Sequence, residues 1–168
     1  MNHELIAVVD EQDNFIENRP RKEVHKLGLR HRAVHILVFN ESQQIFLQKR
    51  SLTKDVNAGL WDTSAAGHVD AGESYDVCAH RETIEELGVC VDKTLQFLFK
   101  LPAKPETGME FVQVYRCSHN GPFILEDGEI DDGRWFDTEE IRKLMDSDCP
   151  TITDTFKTLW ARFEVLKS

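Results

Sequence analysis

The alternation of apolar and polar positions marks out the elements of this chain in order. Leu5-Ile6-Ala7-Val8-Val9 is a short apolar run that ends in the polar stretch Asp10-Glu11-Gln12-Asp13-Asn14. Phe15-Ile16 then opens a return strand, so an N-terminal hairpin is expected. Pro20 and Gly28 bracket residues 20–27 as one or two helical turns, since proline suits a first helical position and glycine the position past the last. Two stronger strands follow, Ala33 to Phe39 and Gln44 to Gln48, joined by the polar turn Asn40-Glu41-Ser42-Gln43. After a loop through Asn57-Ala58-Gly59, Trp61 to Ala66 leads into Gly67.

From Ser74 to Leu87 the period becomes helical, with Ser74 as N-cap and Gly88 just past the end. Strands return at Leu95 to Leu101, Phe111 to Cys117 and Gly133 to Phe136. Phe97, Phe99 and Phe111 are read as sheet packing and Trp61 as core. Asp137-Thr138-Glu139-Glu140 has the form of a capping box opening a helix through Met145, with Ile141, Leu144 and Met145 facing inward. Phe156, Leu159, Trp160, Phe163 and Leu166 recur at helical spacing as a core-packing stripe. No repeat, low-complexity tract or linker interrupts this order, which predicts one α/β domain over residues 1–168.

Composition narrows the classes. No apolar run is long enough to span a bilayer, and Met1-Asn2-His3-Glu4 lacks the basic-then-apolar order of a secretory signal, so a cytoplasmic protein without membrane contact is expected. The net charge of −10 repels a phosphate polymer at long range, which argues against general nucleic-acid binding. Cys78, Cys90, Cys117 and Cys149 form no Cys-x-x-Cys pair and are read as reduced thiols rather than a zinc or disulfide framework.

The chemistry concentrates in Gly67-His68-Val69-Asp70-Ala71-Gly72-Glu73 and Arg81-Glu82-Thr83-Ile84-Glu85-Glu86-Leu87-Gly88-Val89. At about 100° per residue, Glu82, Glu85 and Glu86 fall on one helical arc, while Val77, Ile84 and Leu87 share another that is expected to pack on a sheet. Like charges spaced i,i+4 destabilise a helix by roughly 0.2–0.5 kcal/mol per pair. A hard divalent cation would neutralise them, since Mg²⁺ takes oxygen ligands, and Arg81 offsets part of the charge. Spacing alone leaves a solvated charged face equally open.

The two segments together read Gly-x5-Glu-x7-Arg-Glu-x-x-Glu-Glu-x-Gly-Val, which resembles the signature of the Nudix hydrolase family. Thr83 departs from it, standing where that signature has a bulky aliphatic residue. The resemblance implies a Nudix-type α/β/α sandwich with a central mixed sheet. It implies Mg²⁺, or Mn²⁺ in its place, on Glu82, Glu85, Glu86 and the Gly67 carbonyl, with Glu73 and Arg81 bracing the loop and helix. The implied activity is metal-dependent hydrolysis of a small-molecule diphosphate, such as a nucleoside diphosphate derivative. Glu86, Glu85 and Glu110 are the catalytic candidates, and Glu126 and Glu129 are further candidates for the proton acceptor.

Outside that signature, His31 to Asn40, Ile45 to Ser51 and Gly59 to Ser64 resemble the isopentenyl-diphosphate isomerase branch, as does Gly67-His68. That branch implies metal binding near His31, His68 and Glu110. Its cysteine position holds Ala66 and its second glutamate position Gly108, so hydrolysis is favoured over isomerisation, and the intact Arg81-Glu82-Glu85-Glu86 set favours it over nucleotide binding without turnover. Both histidines remain open between metal ligand and hydrogen-bonded residue, and His68 also between metal and substrate phosphate. Lys49 and Arg50 are candidates for substrate phosphate or simple strand-end charges. The oligomeric state, a dimer included, stays open.

Overall fold

The computed structural model describes residues 4–91, 95–147 and 151–167. Cys149 lies outside them. In chain order the elements are β1 (Leu5–Val9), β2 (Phe15–Pro20), α1 (Arg21–Leu27), β3 (His31–Phe39), β4 (Ile45–Arg50), β5 (Trp61–Asp62) and β6 (Ala65–His68). They continue with α2 (Tyr75–Leu87), β7 (Gln96–Leu101), β8 (Glu110–Ser118), β9 (Ile130–Phe136), α3 (Thr138–Asp146) and α4 (Asp154–Lys167).

The axis is β3, in which every residue but Arg32 is buried, as expected of a strand covered on both faces. Successive side chains alternate between two layers. Leu37 and Phe39 pack with Phe156, Leu159, Trp160 and Phe163 of α4, whereas Val34, Ile36 and Val38 pack with Cys78, Ala79 and Leu87 of α2. The expected mixed sheet between helical layers is therefore the observed fold.

Pairing along β3 creates the functional cleft. On one side β8 runs parallel for the strand's whole length, from His31 opposite Glu110 to Phe39 opposite Ser118. On the other, β4 pairs only through Val38 and Phe39, and β6 takes over from Ile36 back to Ala33. The partner switch parts β3 from the rest of β4, which pairs with β5 and β9 instead. β1 joins β3 at Val8–His31 and carries β2.

Three apolar expectations change. Leu166 is 56% exposed, so the α4 stripe ends at Phe163, and Phe97 is 51% exposed beside a register shift in β7. Val77 and Ile84 are exposed too, because α2 turns Cys78, Ala79, Glu82, Thr83, Glu86 and Leu87 inward. The inner arc of this helix thus holds two carboxylates. β3 and β9 also begin earlier than apolar patterning suggests, since His31 and Ile130 are recruited by pairing with Glu110 and Arg50.

Candidate functional site

A cleft of about 880 Å³ opens where β3 leaves β4. Its walls come from α1, the loop after β4, β6, α2, and the loops before β8 and β9. Both sequence segments that carry the candidate chemistry meet there.

The Ser74 hydroxyl accepts the Val77 N–H at 3.2 Å and Gly88 closes α2 at φ +70°, so sequence-local signals fix where the helix starts and stops. Glu82 lies so close to the preceding loop that a Cβ on Gly67 would sit 2.1 Å from its carboxyl carbon. Only glycine leaves room for that approach. Glu86 Oε1 accepts from Gln48 Nε2 at 2.8 Å and from the Ala66 N–H at 3.1 Å. Desolvation, with Glu86 as the next cause, pushes the Glu82 carboxyl well above the usual carboxylate range, and desolvation raises Glu86 as well. A pair of buried acids that resists ionisation is short of positive charge, and a divalent cation would supply it. The donors, all oxygen, suit Mg²⁺ or Mn²⁺.

Arg81 ties this segment together. Its guanidinium grips Glu73 with two bonds of 2.7 and 2.9 Å, and reaches Glu82 at 2.8 Å and Glu85 at 3.1 Å. It also donates to the His68 carbonyl at 3.1 Å. The planar fork makes these bonds at once, which a lysine does not.

A second cluster stands at another wall. One ligand atom from each of His25, His31, His68 and Glu110 lies within 4.8 Å of the others. Glu110 Oε2 is 3.2 Å from His31 Nε2 and 2.8 Å from His68 Nε2, and the His25 and His68 Nε2 atoms are 3.3 Å apart. The parallel register of β3 and β8 sets His31 against Glu110, and β6 pairs His68 with Ala33 two residues on. Against the desolvation of burial, bonds from His31 and His68 hold Glu110 well below the carboxylate range. Desolvation lowers His68, and desolvation followed by the His68 charge lowers His25 to about 4. Imidazoles with one carboxylate form a donor set suited to a borderline cation such as Zn²⁺, Mn²⁺ or Fe²⁺.

The other sequence candidates separate. Arg50 lines the cleft, its Nε donating to the Val56 carbonyl at 3.1 Å, whereas Lys49 points to the opposite face of β4 and does not line it. Glu126 and Glu129 are at the cleft wall. Glu129 pairs with Lys54, while burial, followed by the charges of Glu129 and Glu85, raises the Glu126 carboxyl. Ala66 occupies the cleft surface, and none of Cys78, Cys90 or Cys117 does. Gly108 has φ +66°, a conformation a glutamate adopts only with strain. Sequence reasoning did not find His25, whose only sign was its place beside the inward Val24 on a short helix. It also missed the polar floor of Gln48, Asp62 and His35, hidden in strands that patterning assigned to packing.

A mixed sheet between helices, with a glycine-led loop and a helix bringing Arg81, Glu82, Glu85 and Glu86 to a cleft and Glu73 gripping Arg81 behind them, defines the class as a Nudix domain. The sequence matches the NUDIX domain family over residues 29–156, and the chain belongs to that family. A Yersinia pestis protein named an uncharacterized Nudix hydrolase is 35% identical over 159 residues, covering 93% of this chain and 84% of its own. Isopentenyl-diphosphate Delta-isomerase 2 of Photorhabdus laumondii is 31% identical over 159 residues, covering 93% and 90%. A crystal structure of a Deinococcus radiodurans protein is similar in fold, with a TM-score of 0.84, 24% identity and coverage of 95% of this chain and 98% of that one. Membership supports a diphosphate-cleaving hydrolase and divalent-metal use in general terms. His25 lies outside the matched segment. Among the described residues no helix is long and apolar enough to cross a membrane.

Proposed function

We propose that residues 1–168 act as one cytoplasmic Nudix domain that hydrolyses a diphosphate linkage in a small molecule, a nucleoside diphosphate derivative or a related compound. The observation that carries this reading is the Gly67–Glu82–Glu86 cradle braced by Arg81. Glu82, Glu85, Glu86 and the Gly67 carbonyl would hold Mg²⁺ or Mn²⁺. When bound, the metal supplies charge neutralisation on the phosphate oxygens and acidifies water.

The chain's own groups do the rest. Gln48 and the Ala66 N–H fix the orientation of Glu86, and Arg81 fixes that of Glu82 and Glu85. Glu126, which lines the cleft and is raised by burial, is a candidate beside Glu85 and Glu86 to accept the proton of an attacking water. Glu110 is held by two imidazoles and is better suited to organising His31 and His68. Hydrolysis across a panel of diphosphates with Mg²⁺ or Mn²⁺, read as the phosphomonoesters and orthophosphate formed, tests the reading. Turnover abolished by Glu86→Gln supports it, and no hydrolysis of any diphosphate with either metal overturns it.

A second reading, isopentenyl-diphosphate isomerisation, draws on the His25–His31–His68–Glu110 cluster and on the Photorhabdus relative's name. Ala66 stands against it, because no thiol among the described residues reaches the cleft to serve as an acid or base. Deuterium incorporation into isopentenyl diphosphate would revive it.

A further inference from the structure

The histidine at the inner end of the cleft belongs to neither cluster. His35 is 5% exposed, lines the cleft, and lies on the same face of β3 as His31 and Ala33. At about 3.3 Å per residue, its Cα is about 13 Å along the strand from that of His31. Between them on that face stands only the methyl group of Ala33. β3 therefore floors a slot with the histidine–glutamate cluster at one end and His35 at the other.

The ring is locked in place and in tautomer. Nδ1 lies 2.7 Å from Thr63 Oγ1, and the Thr63 hydroxyl donates to the Ala65 carbonyl at 3.2 Å. The Thr63 oxygen consequently accepts from an Nδ1–H. Asp62 Oδ1, 3.7 Å from Nδ1 and itself accepting the Thr63 N–H at 2.7 Å, favours the proton on the same nitrogen. In this tautomer Nε2 is the bare acceptor. Among the described residues nothing bonds to it.

We propose that His35 is a specificity-determining residue that accepts a hydrogen bond from a hydroxyl on the group carried by the diphosphate. This deepens the hydrolase reading above and rests on it. A sugar-like group at the inner end satisfies Nε2. A prenyl chain there strips the nitrogen of water and returns nothing, and sites built to bond a substrate hydroxyl reject analogues lacking it by up to about 10⁴–10⁵. The same slot that admits a hydroxylated group therefore disfavours a hydrocarbon one.

The test compares two five-carbon diphosphates, ribose 5-diphosphate and dimethylallyl diphosphate, by phosphate release and by calorimetric affinity in the presence of Mg²⁺. The wild-type protein is expected to favour the ribose compound by about a hundredfold or more in kcat/KM. His35→Leu should cut that ratio at least about tenfold, and His35→Gln, which keeps an acceptor, should restore part of it. Thr63→Val, which leaves the ring but releases its tautomer, should lower the ratio even if His35→Leu fails to fold. An unchanged ratio in these variants, or a wild-type preference for the prenyl compound, overturns the assignment. If neither compound is hydrolysed the hydrolase reading is the one in trouble, and the affinity ratio still decides the role of His35.

Discussion

The two ligand clusters of this cleft differ in how the chain builds them. Glu82, Glu85 and Glu86 come from adjacent turns of α2, and their partners Gly67, Glu73 and Arg81 lie within the same contiguous segment. His25, His31, His68 and Glu110 come from α1, β3, β6 and β8, and only sheet register brings them together. The first set is all oxygen, and burial makes its Glu82 and Glu86 resist ionisation; the second mixes imidazole with one carboxylate already held by two nitrogens. As proposed, the carboxylates would take a hard cation and the histidine cluster a borderline one, and chemistry at the first would not then depend on occupancy of the second.

Removing one carboxylate from the helix is the most forceful way to break that division. Glu86→Gln preserves the shape that accepts from Gln48 and Ala66 but deletes the charge. Activity with Mg²⁺ should fall by about 10³ or more, on the order of 4 kcal/mol of transition-state stabilisation, with the circular dichroism unchanged. Binding of Mn²⁺ or Zn²⁺ at the histidines should survive. Loss of both together would mean that the two clusters are one site.

The converse change is His68→Ala. Disturbing partners outside a metal's ligand set already weakens binding by about 10–100-fold, so deleting a ligand should cost about a hundredfold or more in Zn²⁺ or Mn²⁺ affinity measured by calorimetry. Unaltered metal affinity and unaltered KM would reduce this cluster to a hydrogen-bonded network around Glu110.

The clusters should also respond oppositely to pH when a chelator keeps metal away. Glu82 rises from its ordinary 4.5 to about 9 in the fold, so its protonated form is favoured there. Stability from that group is full below pH 4.5 and is lost as pH climbs toward 9. His25 moves the other way, from 6.5 to about 4, and Glu110 also lies below its ordinary value. The contribution of His25 is lost as pH falls from 6.5 toward 4, and that of Glu110 as pH falls below 4.5. The chelated protein should therefore melt highest at mildly acidic pH, and Mg²⁺ should flatten the alkaline side. A thermal midpoint that rises steadily to pH 9 without metal would contradict the assigned state of Glu82.

How much of this was legible in the chain follows the same division. Ser74, Gly88, Asp137 and the apolar runs act through neighbours a few residues away, so the hairpin, α2 and α3 could be read directly, whereas the α/β/α layering followed from the resemblance to the Nudix family. The grouping of Glu82, Glu85 and Glu86 on α2 was legible for the same reason, and the metal-binding role given to them came from the resemblance. His25 was not, because its partners are set by how β1, β3 and β6 pair, and no local pattern records that register. Nor was the inward turn of Glu82 and Glu86. Apolar periodicity assigns the buried arc to Val77 and Ile84, and burying acids is unfavourable unless something balances them. Nothing local marked His35 and Asp62 out from their surroundings, although both line the cleft's polar floor.

Thr83, between the two buried carboxylates, gives the finest probe of whether packing and chemistry on α2 are separable. It is fully buried, and its hydroxyl donates to the Ala79 carbonyl at 2.8 Å, one turn back. That carbonyl also accepts the helical N–H of residue 83, so removing the hydroxyl strands no acceptor. Valine keeps the branched shape and places an aliphatic group where the family signature has one. Thr83→Val should change urea-unfolding stability by no more than about 1 kcal/mol, toward greater stability, and leave hydrolysis as it was. A loss of about 2 kcal/mol or more, or a fall in activity, would show that the hydroxyl's grip on the preceding turn sets how Glu82 and Glu86 are aimed. The helix would then be tuned as one piece, and the hard site would owe its geometry to a residue that touches no ligand.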